Sequence, residues 1–233
     1  MYRHCPAVVL ILIGLASTTV IGAQDTAQLF LRGTGRIEKG DIDGGIADLD
    51  QVLVADPNSA AAYFARGYAW DKKGDRDKAI ADFDQVIRLQ PKMAEPRYNR
   101  GRMWEKKADY DKAFADYSEA LRLDPNNFRF CNNLAWMQAT CPIDKYRDGK
   151  MALENAMNAR KLYGGDHWRI VATIAAAYAE NGDFDDAREW QEKAIKLVGD
   201  DKAALDKEKA SMRSRLDVYQ ANKPFREPIA KSP

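Results

Sequence analysis

Histidine is nearly missing from this chain: His4 and His167 are the two it has, and His4 falls in an N-terminal stretch that reads as a leader. A histidine metal site or a catalytic triad would have to be built around one ring. His167, beside Trp168 where a helix is expected to begin, reads as a structural or solvated imidazole. Cysteine is scarce too, at Cys5, Cys131 and Cys141. The last two stand ten residues apart, about 15 Å along an unbroken helix at ~1.5 Å per residue, whereas a disulfide needs Cα atoms within about 7 Å. Neither has the helix N-terminus or basic setting that activates a thiolate, so both read as small buried hydrophobes. No glycine-rich phosphate loop and no G-x-S-x-G turn occurs. An excess of one charge is also lacking: 36 Lys and Arg face 35 Asp and Glu, interspersed and without a basic run. That removes the electrostatic drive toward phosphate backbones, and nucleic acid is not an expected partner. No cofactor and no metal is expected.

Long apolar runs are confined to the first 23 residues. Arg3 supplies a positive start, Cys5 to Ala23 is uncharged with an apolar core from Ala7 to Leu15, and Ile21-Gly22-Ala23 puts a small residue ahead of the polar Gln24-Asp25-Thr26. This is the layout of a signal peptide over residues 1–23, and it places the protein outside the cytoplasm, periplasmic or extracellular. An uncleaved membrane anchor is the alternative, since roughly 17 to 25 apolar residues can span a bilayer; Ser17, Thr18 and Thr19 weaken it. No cysteine stands at the junction for a lipid.

What is present is a repeat. RGTGRIEKGDIDGGIADLDQVLVADP from Arg32, RGYAWDKKGDRDKAIADFDQVIRLQP from Arg66 and RGRMWEKKADYDKAFADYSEALRLDP from Arg100 start 34 residues apart, and Pro57, Pro91 and Pro125 close them at the same step. Each unit reads as two antiparallel helices. In the second, the first helix is expected over Ala60 to Lys73 and the other over Asp77 to Leu89. Gly74 tolerates a left-handed helix end, Asp77 is a natural N-cap and Pro91 stops the second helix. Ala79, Phe83 and Val86 form its apolar face. Gly67 lets the paired helix come close and Trp70 fills the space beyond.

These positions resemble the tetratricopeptide repeat, whose unit carries a small residue, an aromatic, a turn glycine, an alanine and a closing proline at these places. The first unit departs from it, with Arg36 for the aromatic and Gly45 for the alanine. A fifth unit keeps the offsets through Ala175, Tyr178, Gly182, Ala187 and Ala194. In the fourth, Ala135 and Ala152 are 17 residues apart against 12 for Gly67 and Ala79, so its loop, in TCPIDKYRDG, is longer. The run from LAWMQATCP to RLDVYQANKPFRE resembles a C-terminal module recurrent in bacterial repeat proteins, planctomycete ones especially. The resemblance implies an all-α fold, an α-solenoid of about five helix pairs. The repeats fall at about 26–59, 60–93, 94–127, 128–164 and 168–201. A capping helix follows at 202–222, with Leu205, Met212, Leu216 and Tyr219 on one stripe, and then a flexible tail over 223–233.

Close acids mark the turns: Asp41 with Asp43, Asp75 with Asp77, Asp109 with Asp111, Asp183 with Asp185 and Asp186. No glutamate stands where a calcium loop would need one, and the second Asp of each group is expected to cap a helix. In such repeats the first helices line the concave face. Counting from each small residue puts Phe64, Tyr68, Tyr98, Asn99, Arg102, Arg129, Asn132, Asn133 and Trp136 there. Aromatics and arginine dominate interface energies. Family members that bind chaperone tails hold a carboxylate with lysine, arginine and asparagine. Asn99 and Arg129 match two of those places, but Phe64, Tyr68 and Asn133 do not, so the clamp is incomplete.

The expected function is non-catalytic binding or scaffolding of a protein or peptide partner on the concave face. The alternatives are a membrane-tethered envelope assembly factor, which needs an uncut N-terminus, and an enzyme built on the repeats, which finds no acid, base or metal constellation. If the leader is cut, the mature protein begins at or near Gln24. Mass analysis of the N-terminus of protein from its native cells checks this, and intact Met1 on soluble cytoplasmic protein contradicts it.

Overall fold

The computed structural model describes residues 22–198 and 204–229. Nearly all of the segment read as a leader, and the last residues of the chain, lie outside the described residues. Five antiparallel pairs follow one another: α1 (Ala23–Glu38) with α2 (Ile42–Ala55), α3 (Ala60–Lys73) with α4 (Arg76–Leu89), α5 (Glu95–Lys106) with α6 (Tyr110–Leu123), α7 (Phe128–Thr140) with α8 (Gly149–Tyr163), and α9 (Trp168–Asn181) with α10 (Phe184–Leu197). The last helix, α11 (Ala204–Gln220), packs on α10 as α3 packs on α2 and α5 on α4. It therefore occupies the place of a sixth first helix. The described residues form no strand, and no helix among them is long and apolar enough to cross a membrane.

The repeat signature works as a set of contacts. A Cβ on Gly67 would stand 3.0 Å from Phe83 Cε1 and 3.2 Å from Asp82 Cβ, so only a glycine lets α3 and α4 close to this distance. Phe83 is then 1% exposed, burial that stabilises by about 1.5–3 kcal/mol for a side chain of this kind. Beside it Arg66 donates to both oxygens of the buried Asp82, at 2.9 and 2.7 Å. Arg32 with Asp48 and Arg100 with Asp116 repeat the arrangement. Arg66 also reaches back to Asp50 and Arg100 to Asp84, each at 2.5 Å, so one guanidinium ties its own helix pair together and ties that pair to the preceding one.

The helix caps differ from expectation. Asp75, not Asp77, accepts from the Lys78 backbone N–H at 3.2 Å; Asp41 and Asp109 do the same in their repeats. The cause is where the helix starts: Gly74 turns the chain at φ 89°, α4 begins at Arg76, and the residue before it is Asp75. The second acids are left free for the next repeat. Lys73 pairs with Asp43, Lys107 with Asp77 and Lys145 with Asp111, exposed ties that water screens and that contribute little to stability.

The fourth repeat's longer loop is pinned by its own contacts. It forms a 3₁₀ turn at Asp144–Tyr146. The Tyr146 ring packs on Phe114 at 5.4 Å and its hydroxyl donates to Asp111. Arg147 bridges Glu180 at 3.1 Å and the Cys141 carbonyl at 2.9 Å. Cys131 and Cys141 are free and buried, and burial pushes both thiols up. On α11, Met212 and Tyr219 are fully buried; the side chain of Leu205 is outside the described residues. Residues 223–229, expected as part of a flexible tail, lie seated against the array. Phe225 packs on the buried cluster of Ala175, Ala179, Ala187 and Tyr219, and the Glu227 backbone N–H donates to the Thr140 carbonyl at 2.9 Å.

In the third repeat Ala108 holds the left-handed turn, at φ 58°, that glycine holds elsewhere. Ala108→Gly is expected to raise the unfolding free energy by about 0.5 kcal/mol, strain released less the added chain entropy, and Gly74→Ala to lower it by about 1 kcal/mol. Denaturant titration of both variants checks this; shifts of the same sign contradict it.

Candidate functional site

Residues of α5, α7, α9 and α11 meet around one cavity. Along α7, Asn132, Asn133 and Trp136 follow at the helical spacing that keeps them on one face. Facing them, α9 contributes Arg169 and Thr173, α5 contributes Glu105 and α11 contributes Arg215, around a cavity of about 190 Å³. A second cavity of about 240 Å³ shares Asn132, Asn133 and Arg169 and extends to Tyr98 and Arg129.

Two polar atoms here are buried without a hydrogen-bond partner: Asn132 Oδ1 and Arg215 Nε. Arg215 is 9% exposed. Its guanidinium lies 5.1 Å from the centre of the Trp136 ring and 5.8 Å from that of Phe225, and burial lowers its pKa from the ordinary arginine value. Burial likewise raises the Glu105 carboxyl, against a 2.6 Å hydrogen bond from the Tyr117 hydroxyl, and the nearby Glu227 carboxylate adds to the rise.

The sequence-derived contact residues divide in two. Phe64 packs on Phe83 at 5.8 Å, and Tyr98 is 5% exposed between Tyr117 and Phe130. Asn99 is buried as well. Phe64 and Tyr98 serve packing: each presses on the second helix of its own repeat, and Tyr98 also on Phe130 of the next. Tyr68 is exposed under Lys72, and Arg102 lies 3.7 Å from Asp71. Arg129 lies over the Tyr98 ring and pairs with Glu95 at 3.1 Å, while Asn133 donates to the Tyr98 hydroxyl at 3.0 Å. Arg129, Asn132, Asn133 and Trp136 are thus brought together; Tyr68 and Arg102 lie outside the cavities that these four line.

Several groove residues were missed. Arg169 stands six residues before Ala175, as Arg129 stands six before Ala135, so the same count reaches it. Arg215 carries no repeat signal, because α11 holds none of the repeat's landmarks. His167 is a cap: its Nδ1 accepts from the Arg169 backbone N–H at 3.2 Å, and its ring stacks on Trp168. Burial and Arg169 hold its pKa below the usual histidine value. Among the described residues, no three His, Cys, Asp or Glu side chains are grouped as metal ligands would be.

Comparison with known families finds models described as "Tetratricopeptide repeat" over residues 30–80 and 71–128, and again over 169–198. Together they span more than half of the chain. No curated protein matches the sequence. Among solved structures, MamA from Desulfovibrio magneticus RS-1 (41-end) is 18% identical, with a TM-score of 0.65 over 78% of this chain and 99% of that one. YrrB, described as a TPR protein with an unusual peptide-binding site, is 19% identical, with a TM-score of 0.61 over 80% and 93%. The thermophilic TPR protein TTC0263 of Thermus thermophilus is 15% identical, with a TM-score of 0.58 over 84% and 99%. At such identities the likeness is one of fold.

Glu105 gives this site a pH signature. A carboxyl raised by folding penalises the folded state while it is ionised, so its contribution improves as pH falls through the raised value and the penalty is gone below the unfolded value. Glu105→Gln keeps an acceptor for Tyr117 and removes the charge. Its melting temperature is expected above wild type at about pH 7, where carboxylates are ionised, with the gap closing as pH falls toward 4.5. Thermal melts across that range check it, and a gap that widens on acidification contradicts it.

Proposed function

This chain belongs to the tetratricopeptide-repeat family, and on that premise we propose that it is a non-catalytic scaffold whose inner groove, at the fourth and fifth repeats, holds an extended segment of another protein. The reading rests on Asn132 Oδ1 and Arg215 Nε, buried and unpartnered on the groove wall. Such groups cost about 1–3 kcal/mol each while unpaired. A ligand that offers an N–H to Asn132 and a carbonyl to Arg215 recovers that cost. An extended main chain presents both polarities along its length, and the flanking Trp136 and Arg169 are side chains of the types that dominate interface energies. The peptide-binding site named for YrrB supports a peptide ligand on this architecture. Arg3, the apolar stretch after it and the small-residue junction at Ala23 support action outside the cytoplasm.

Partner capture by crosslinking in envelope extract tests the groove. Asn132→Ala and Arg169→Ala are each expected to weaken capture by about 1 kcal/mol or more, as central contacts do, with the helical melt nearly unchanged. Lys78→Ala, on the outer side, is expected within about ±0.5 kcal/mol. If capture survives both groove changes and is lost in Tyr68→Ala or Arg102→Ala, the binding surface lies on the earlier repeats and this assignment fails.

A further inference from the structure

After α11 the chain reverses at Asn222, whose side chain and whose neighbouring Tyr219 carbonyl are both held by Arg188. Residues 223–229 carry no helix and return over α9 to the end of α7. Three contacts seat them. Phe225 lies against Trp136 at 6.2 Å and against Arg215. Arg226 forms an ion pair with Glu180 at 2.6 Å. Glu227 is held twice, its backbone N–H donating to the Thr140 carbonyl and its Oε1 accepting from Trp136 Nε1, both at 2.9 Å. Thr140 belongs to the last turn of α7, where carbonyls lack partners within the helix. The tail therefore uses a main-chain hydrogen bond, an aromatic anchor and two charged side chains on the groove's own wall, as an extended peptide bound from solution would.

We propose that residues 223–229 are a ligand carried in cis, and that the partner segment binds by displacing them with the same chemistry: an extended stretch in which an aromatic residue is followed by a basic and then an acidic one. The proposal rests on the groove reading above and adds to it the kind of segment selected. Ordering seven residues costs conformational entropy of the same order as so few contacts return, which suits a segment that exchanges. Its reach is set by the short link from α11, so the docked form competes at a high local concentration. Glu105 and Glu227 line one cavity, and the charge of Glu227 disfavours ionisation of Glu105.

The test uses the full chain and a fluorescent peptide of its own sequence, Asn-Lys-Pro-Phe-Arg-Glu-Pro-Ile, read by anisotropy. Arg226→Ala/Glu227→Ala removes the ion pair and the Trp136 hydrogen bond while leaving the Phe225 packing, and Phe225→Ala removes the anchor; circular dichroism melts show which variants are folded. A tail docked nine times in ten lowers apparent affinity about tenfold, so the peptide is expected to bind the folded tail variants more tightly than wild type, by up to about tenfold. Adding Glu180→Gln to the Arg226→Ala/Glu227→Ala background is expected to weaken that binding. Equal affinity for wild type and tail variants overturns the proposal, as does a lowered melt with no gain in peptide binding, which marks the tail as packing alone. Partner capture that still depends on Asn132 and Arg169 in either of those cases keeps the groove reading; capture indifferent to both residues removes that reading separately.

Discussion

Where Gly67 meets Phe83, the two helices of a repeat approach until a single added carbon would collide with the ring. The adjacent residues Arg66 and Asp82 are thereby placed opposite each other, and the guanidinium closes on a carboxylate that water cannot reach. Arg66 and Arg100 are both held above the ordinary arginine pKa, chiefly by the buried aspartates that accept from them, whereas burial pushes the Asp82 carboxyl up against the same bonds. A pair of this kind adds little when compared with an apolar replacement, but losing one partner costs about 3–5 kcal/mol. It fixes register more than it adds stability. A helix slipped by one residue would leave both the glycine and the arginine without their counterparts, and the second bond of Arg66, to Asp50, passes that register to the repeat before.

The lock stops where the groove begins. In the fourth and fifth repeats Leu134 and Ile174 stand in the arginine's place, and the small residues Ala135 and Ala175 in the glycine's, all buried. Apolar contact among alanines from α7 to α10 then holds the pairs together. Polar side chains of the inner face are released from holding the array. Asn155 still donates to Gln138 at 2.9 Å and Gln191 to the Met212 carbonyl at 3.0 Å, but Asn132 and Arg215 keep atoms without partners. α11 matters here beyond capping: seated as a sixth first helix, it carries Arg215 across α9 to the Trp136 ring and gives the groove its far wall.

The array was legible in the sequence because its cause is local. A glycine, an aromatic, a turn residue and a proline repeat at one spacing, each answering a constraint within a few residues, and the helix pairs follow. The caps were misplaced by two residues because D-x-D offers two aspartates of equal propensity, and the start of the helix, set by the turn at Gly74, decides between them. Counting from the small residue finds the first-helix face but does not tell its edges apart. The same offset gives Phe64 and Tyr98, pressed on the next aromatic, and Asn132, open to the cavity. The returning tail carried a resemblance but no periodicity, and seven residues without periodicity are placed only by what they meet at long range.

A groove that must take an extended chain needs acceptors and donors in alternation, and this one has both within reach of Trp136. The Thr140 carbonyl and Asn132 Oδ1 accept; Trp136 Nε1 and Arg215 Nε donate. The tail engages the first and third of these and leaves the second and fourth unpaired. Glu105 and Glu227 meanwhile bring two carboxylates near each other in a setting that already penalises charge. Docking of the tail thus satisfies only part of the wall. An occupant that also reached Asn132 and Arg215, and that placed its acid away from Glu105, would make every bond the tail makes and the ones it leaves open. By that difference in satisfied polar groups, an outside segment can outcompete one that is covalently tethered in place.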